Sequence, residues 1–297
     1  MTRIYVGTSS WSDHEEFYPP GLPSNQQISF YAQHFAVVEI NSTFYRLMPE
    51  RNFRLWADRT PPEFVFDVKP YRQLSWHDRE NPPDNEVFAA FARSLQPLRD
   101  AGKLGAVHFQ FPPWFKFQTD NVAYLKQCRE SLPQDRVCVE FRHRSWLEGD
   151  HVDHLVSTLR DYGVGLTVVD EPQIGSGTVP TVVAVTTPDL SIVRLHGRNA
   201  KMWYKKVKRT ADRFDYLYSE EELQSWVPNV AQLAEEAAQI HIFFNNNQQD
   251  YAVRNARQMR DLLARSLSSA EVVLPASRRS SAGLPAGGEP DSASAEH

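Results

Sequence analysis

Charged and polar side chains recur two residues apart inside segments that otherwise resemble buried strands. The segment VEINSTFY places Glu39, Asn41 and Thr43 among apolar and β-branched residues. Side chains alternate between the two faces of a strand, so these three are expected to share one face. The spacing recurs along the chain, in Asp67 and Lys69, His108 and Gln110, Glu140 and Arg142, Val168 and Asp170, and Arg194, His196 and Arg198. We interpret these repeats as polar groups directed toward one shared pocket.

These residue types suit acid–base chemistry on an anion. Carboxylates and imidazoles transfer protons, so we expect catalytic roles for Glu39, Glu140, Asp170 and His196. Guanidinium groups bind phosphate or carboxylate through paired donors, and we expect Lys69, Arg142, Arg194 and Arg198 to hold the substrate. The sequence therefore favours an enzyme that acts on a small anionic substrate, with hydrolysis as the expected reaction.

The same residues are also compatible with a structural role or a metal-binding role. The opposite charges could form a structural ion-pair network inside the protein. Alternatively, His108, Glu140, Asp170 and His196 could converge on a divalent metal, although no HxH or HExxH spacing supports this. The neighbouring arginines and lysine would repel a cation. A metal site is therefore not favoured, and the sequence identifies no cofactor.

Strand-like and helix-like segments alternate almost from end to end and must position these groups. About eight strand-plus-connection units can be counted, which is the number that closes a parallel barrel. The polar pairs fall near the carboxyl ends of the strands, where barrel enzymes keep their sites. The sequence predicts an α/β fold, a TIM-like (β/α)8 barrel. The unit between strands 6 and 7, QIGSGTVPTVVAVTTPDL, is expected to be irregular because it is rich in Gly, Pro and β-branched residues.

Length and composition indicate the domain organisation and the cellular location. The chain has 297 residues, of which 41% are hydrophobic and 23% charged, with a net charge of −5. We expect one barrel domain over residues 1–267 and a disordered, low-complexity tail over 268–297. The first residues show no signal peptide, and no apolar stretch is long enough for a membrane span, so a cytoplasmic protein without membrane partners is expected. The sequence sets no oligomeric state.

Two rival functions remain. The run KMWYKKVKRTADR interleaves basic residues with Trp203 and Tyr204, as a nucleic-acid surface would. A DNA-repair type of barrel is therefore the alternative, although the acidic chain favours a solvated loop for this run. A non-catalytic scaffold or metabolite sensor is a third possibility, since a fold does not fix a function.

Several motifs resemble one known family. VEINSTFY, TPPEFVFDVKP, FQFPPWF, VEFRHRSW, VVDEP, VRLHGRN, YLYSEEELQSW and FFNNN followed by AVRNARQM are similar to motifs of the YecE-like family, domain of unknown function 72. They span about residues 3 to 265 in the family's order. The resemblance implies a TIM-like barrel and no particular reaction. It also implies family positions at Asn41, Tyr45, Trp146, Asn199 and Asn246, which we add as substrate-binding candidates, and at His143. The chain departs from the family pattern at Ser10 and in SDHEE and NNNQQDYA.

Overall fold

The structure is a computed structural model that describes residues 1–207 and 210–276. Its strands are β1 (Thr2–Thr8), β2 (Val37–Ile40), β3 (Val65–Val68), β4 (Leu104–Gln110), β5 (Val137–Glu140), β6 (Gly165–Asp170), β7 (Ser191–Leu195), β8 (Gln239–Phe244) and β9 (Ala270–Val272). All the strand pairs are parallel, in the order β2-β3-β4-β5-β6-β7-β8-β1-β9. The prediction of a TIM-like α/β fold is confirmed.

Helices connect most of the strands. They are α1 (Ser24–Ala32), α2 (Glu50–Asp58), α3 (Asn85–Ser94), α4 (Gln96–Asp100), α5 (Thr119–Ser131), α6 (His151–Tyr162), α7 (Glu220–Gln224), α8 (Val227–Glu236) and α9 (Tyr251–Ser266). Local sequence explains several ends: α6 stops at Gly163, whose φ of 66° is left-handed, and α7 begins with a capping box between Ser219 and Glu222. None of the described helices combines the length and apolar character of a membrane crossing.

The barrel is joined between β1 and β2 by a short contact. Ser9, just after β1, bridges Glu39, and the Ser10 amide donates to the Glu39 carbonyl at 2.8 Å. At the opposite end of β1, β9 pairs with Thr2–Ile4. The bridge between the first and second strands therefore lies at Ser9 and Glu39, beside the buried polar residues of the barrel interior.

Strand alternation separates an outer apolar face from a polar interior. On β2, Val38 and Ile40 belong to the main hydrophobic core, whereas Glu39 between them does not. On β4, Val107 and Phe109 pack in the same core, and His108 lies between them as a buried polar residue. The period-two pattern thus placed the charged groups correctly on the interior face of the barrel.

Three details differ from or refine the sequence expectations. The strand predicted over VEINSTFY ends at Ile40, because residues 42–44 turn into a 3-10 helix in which the Thr43 hydroxyl donates to the carbonyls of Ile40 and Lys69. The segment between Asp170 and Ser191 holds neither helix nor strand, as predicted.

The boundary of the tail is the third detail. Disorder was expected from residue 268 onward, yet Ala270–Val272 form β9 and the Val273 side chain is buried. That part of the prediction is wrong, because backbone pairing with β1 orders the segment. The rest of the predicted tail, residues 277–297, lies outside the described residues.

Candidate active site

A cavity of about 1190 Å³ opens at the carboxyl ends of the strands. Five predicted site residues line it: Asn41, Tyr45, Lys69, Arg142 and Arg194. Sequence reasoning did not assign most of the other lining residues, which include Ser10, Ser12, Phe44, His77, Trp114, Arg213, Phe214, Asn245 and Asn247. Five of the candidate residues thus share one cavity, and loops after the strands form most of its wall.

Arg194 forms the centre of the cavity floor. Its Nη1 lies 2.7 Å from Glu140 Oε2 and its Nη2 lies 2.8 Å from Glu39 Oε2. Ser9 also donates to Glu39 Oε2 at 2.6 Å, and His108 Nδ1 lies 2.9 Å from Glu39 Oε1. Arg194 is only 2% exposed and both glutamates are fully buried. One guanidinium group thus links carboxylates from β2 and β5.

The two glutamates of the floor are held as carboxylates. Burial raises the pKa of the Glu39 carboxyl, but Arg194 and His108 outweigh this and keep that pKa well below its usual range. Burial opposes ionisation of Glu140 in the same way, and Arg142 and Arg194 again lower its pKa well below the ordinary value. Neither carboxyl lines the cavity. Their predicted catalytic roles remain predictions, and in this geometry both groups are engaged by arginines.

Arg142 joins a second group of buried residues. Its Nε lies 2.6 Å from Glu140 Oε1, its Nη1 donates to Glu171 Oε2 at 2.7 Å, and its Nη2 lies 2.8 Å from His196 Nε2. Burial and the nearby Arg142 charge lower the pKa of His196 to about 3. Burial raises the pKa of Glu171 to about 7, although Arg142 acts in the opposite direction. The His196 ring is therefore neutral and, like Glu171, lies beneath the cavity.

Lys69 differs from the two arginines because its partners carry no charge. Its Nζ donates to Gln110 Oε1 at 2.9 Å and lies 4.4 Å from the centre of the Phe44 ring. Burial, together with Arg194, lowers the pKa of Lys69 to about 8. Among the described residues no carboxylate lies within salt-bridge distance of this amine. The ammonium group thus lines the cavity with no carboxylate in direct contact among the described residues, although Glu39 and Glu140 are near enough to raise its pKa.

His77 was missed by the sequence analysis and stands beside this lysine. Its ring centre lies 4.8 Å from that of Phe44 and 6.0 Å from that of Trp114. Burial, with Lys69 and Arg142, lowers the pKa of His77 to about 3, so the imidazole is neutral at physiological pH. Ser75 Oγ lies 2.9 Å from its Nδ1. No sequence spacing could have indicated His77, because it lies on a loop between β3 and α3.

Like His196, five other predicted site residues do not line the cavity: Trp146, Asp170, Arg198, Asn199 and Asn246. Arg198 Nε lies 3.0 Å from Asp170 Oδ1 and its Nη1 lies 3.1 Å from Glu222, so this arginine is already paired. Asn199 donates to the Asp215 carbonyl, and Asn246 donates to the Tyr216 carbonyl and to Asn255. Trp146 is fully buried and stacks on Phe141 at 4.1 Å. The expected convergence of Asp170, Arg198, Asn199, Asn246 and Trp146 on the mouth is not observed.

The basic run KMWYKKVKRTADR, the alternative nucleic-acid surface, contains both buried and exposed side chains. Trp203 is buried and lies 5.8 Å from the Arg142 guanidinium, whereas Tyr204, Lys205 and Arg213 have exposed or half-exposed side chains. Arg213 lines the cavity. Residues 208 and 209 lie outside the described part of the chain. Within that part, no group of three or more His, Cys, Asp or Glu side chains is arranged to hold a metal ion.

The fold and the cavity define the class of protein: a TIM-like α/β barrel with a polar, aromatic-walled cavity at the carboxyl ends of its strands. The chain belongs to the family described as "Protein of unknown function DUF72", which it matches over residues 5–279. The predicted YecE-like relationship is thereby confirmed.

Named relatives agree with this assignment. The UPF0759 protein YunF of Bacillus subtilis (strain 168) is 39% identical over 267 residues, covering 88% of this chain and 94% of YunF. The UPF0759 protein YecE of Escherichia coli (strain K12) is 28% identical over 169 residues, 56% of this chain and 59% of YecE.

Solved structures show the same fold. A DUF72 family protein from Enterococcus faecalis V583 superposes with a TM-score of 0.80 at 30% identity, covering 88% of this chain and 95% of that protein. A DUF72 family protein from Thermotoga maritima MSB8 gives a TM-score of 0.77 at 35% identity, with 88% and 99% covered. The shared architecture therefore extends over nearly all of the barrel.

Proposed function

We propose that the chain is an enzyme that binds a small phosphate- or carboxylate-bearing substrate in this cavity and hydrolyses it. The observation that carries the proposal is the Lys69 ammonium group, which lines the cavity and whose close partners within residues 1–207 and 210–276 are the uncharged Gln110 and Phe44 side chains. An ammonium group that lines a cavity, with no carboxylate of the described residues within salt-bridge distance, favours an anionic ligand, because charge-assisted hydrogen bonds are the strong ones.

The floor arginines support this assignment by elimination. Arg194 is already paired with Glu39 and Glu140, and Arg142 is paired with Glu140 and Glu171. Their charges are largely compensated locally, whereas that of Lys69 is not. The arginines nevertheless line the cavity, and they would orient an anion held by Lys69.

Hydrolysis is the reaction that the surrounding groups suit best. The neutral His77 imidazole lies in the same wall as Lys69, and its ring nitrogen without a proton can accept a hydrogen bond from a water molecule and orient it for attack, although its low pKa makes it a weak base. Lys69 would stabilise the negative charge that develops on the substrate. Glu39, Glu140 and His196 would act from below by holding Arg142 and Arg194 in place.

A calorimetric titration of the protein with inorganic phosphate at pH 7.0 tests the binding step. We expect binding by the wild type and loss of at least about tenfold in affinity for Lys69→Ala, since a charge-assisted hydrogen bond contributes about 1.5–3 kcal/mol. Lys126→Ala is the matched control, because Lys126 is exposed on α5 and pairs with Glu130. Equal phosphate affinity in Lys69→Ala and the wild type would refute the anion site.

Turnover separates an enzyme from a sensor. A panel of phosphate monoesters and of esters that also carry a free carboxylate, assayed with the wild type and His77→Ala, should show hydrolysis that is strongly reduced in the variant. Phosphate binding without turnover on any panel member would favour the metabolite-sensor alternative, since the cavity would then bind without reacting.

A further inference from the structure

Two aromatic rings at the cavity mouth are exposed and yet fixed in orientation. Trp114 is 45% exposed, and its Nε1 donates to the Trp76 carbonyl at 2.9 Å. Tyr204 is 59% exposed, and its hydroxyl donates to the Ile174 carbonyl at 2.6 Å. Both rings line the cavity. A ring that is already oriented loses little conformational entropy when a flat ligand stacks on it.

Exposure of large aromatic side chains is concentrated at this cavity. In residues 1–207 and 210–276, the large aromatic side chains exposed to solvent are Tyr45, Trp114 and Tyr204, and all three line it. Exposed apolar surface that gathers at a concave site indicates a surface for a ligand, whereas isolated exposed side chains need no explanation. The cavity therefore presents flat apolar faces in addition to its charged floor.

Two of the three exposed rings, Tyr45 and Trp114, are connected to the proposed anion site through neighbouring side chains. Lys69 Nζ lies 4.4 Å from the Phe44 ring centre, which in turn lies 5.2 Å from that of Tyr45. His77 connects Phe44 to Trp114 through ring contacts of 4.8 and 6.0 Å. A ligand that uses both features must carry an anionic group close to a planar ring.

Side-chain amides supply the remaining element of recognition. The segment after β8 contributes Asn245, Asn247, Gln248 and Gln249 to the wall. Asn247 Oδ1 has no hydrogen-bond partner within the described residues. Amide groups pair with the donor and acceptor edges of nucleobases, whereas a sugar phosphate offers no planar ring to stack.

We propose that the ligand is a nucleotide unit, with its phosphate at Lys69 and its base stacked on Trp114 or Tyr204. This inference rests on the proposed anion site and specifies the class of substrate. Free nucleotides and the terminal nucleotide of a single strand share this chemistry. The phosphate and the base would then contact different walls of one cavity.

Calorimetric titrations at pH 7.0 with AMP, ribose 5-phosphate and adenosine test the proposal. Stacking on an aromatic side chain should make AMP bind about 5- to 150-fold more tightly than ribose 5-phosphate. Trp114→Ala, Tyr204→Ala and the double variant should be measured. At least one of them should bind AMP more weakly by a factor in that range, and all should bind ribose 5-phosphate with the affinity of the wild type. Tyr204→Phe, which keeps the ring, should retain most of the affinity, and Leu55→Ala on the outer helix α2 is the control.

The possible results separate this inference from the proposed function. Equal affinities for AMP and ribose 5-phosphate would overturn the nucleotide assignment while leaving the anion site intact. Adenosine binding that depends on Trp114, with no phosphate binding, would overturn the anion site and keep the stacking surface. A 5′-phosphorylated single-stranded oligonucleotide that binds when AMP does not would support the same chemistry with a nucleic-acid end as its source. Absence of binding by all nucleotides and oligonucleotides would refute the inference.

Discussion

Replacement of Arg194 by Met should destabilise the barrel strongly. The side chain is 2% exposed and lies within 2.8 Å of two fully buried carboxylates, Glu39 and Glu140. Removing one partner of a buried ion pair typically costs about 3–5 kcal/mol, because a charge is left uncompensated. Without Arg194, His108 would still contact Glu39 and Arg142 would still contact Glu140. We therefore expect a loss of about 3–5 kcal/mol in the free energy of unfolding rather than twice that amount.

The destabilisation should also depend on pH. In the wild type the folded-state pKa values of Glu39 and Glu140 lie below their unfolded values, so their contribution is present above the unfolded pKa and is lost as pH falls. Without Arg194, burial raises these pKa values, and the variant gains protons more readily in the folded state. The difference in stability between wild type and variant should therefore be largest near pH 7 and narrow toward pH 4.

Urea denaturation of both proteins at pH 7.0, 5.5 and 4.5 measures this effect. Lys126→Met, which removes an exposed pair on α5, should lower stability by no more than about 0.5 kcal/mol and serves as the control. A cost for Arg194→Met below about 1 kcal/mol, or one that does not change with pH, would refute the view that the floor is a strongly coupled ion-pair network. Adding Glu140→Gln to Arg194→Met should recover part of the loss.

Three further predictions concern other parts of the molecule. Phosphate affinity should fall as pH rises through about 8, because the Lys69 ammonium is lost there, and calorimetry between pH 6.5 and 9.5 should show a flatter profile for Lys69→Arg. Gly105→Ala should lower the free energy of unfolding, measured by urea denaturation, by about 1–3 kcal/mol, because the added Cβ would lie 2.2 Å from Asp67 Oδ1 and 2.6 Å from Val65 Cγ1. Gly102→Ala is the comparison, because its Cβ meets no atom within 4 Å and the variant reports only the strain of a φ of 65°. A chain ending at residue 268 should melt at a lower temperature than one ending at 276, because it loses the pairing of β9 with β1; equal melting temperatures would contradict a stabilising role for that strand.

The sequence predicted the polar interior well because strand geometry leaves little choice. Once Val38 and Ile40 pack outward, Glu39 must point inward, and the same reasoning places His108 and Arg194. Position along the barrel axis was harder to predict, because it depends on the register between strands. Glu39 lies level with Asp67, so Lys69, two residues further on, reaches the cavity while Glu39 stays beneath it.

Loop residues were the main omission, and the reason is physical. His77 and Trp114 belong to connections whose path is set by tertiary contacts, such as the hydrogen bond from Trp114 to the Trp76 carbonyl, and no periodic pattern marks them. β9 was missed for a related reason: Ala270, Glu271 and Val272 are too few to show an alternation. Their strand conformation comes from pairing with β1 rather than from intrinsic preference.

The buried ion pairs beneath the cavity and the side chains of the cavity wall should respond differently to substitution. The floor charges are buried, mutually paired and supplied by strands or, for Arg142, by the residues directly after a strand. Changing one of them therefore alters stability together with any activity. Lys69, Trp114 and Tyr204 have cavity-facing groups without such pairing, so their replacement should change ligand binding at little cost in folding. Variants of the wall are therefore the informative probes of function, because a loss of binding there cannot be attributed to collapse of the ion-pair network.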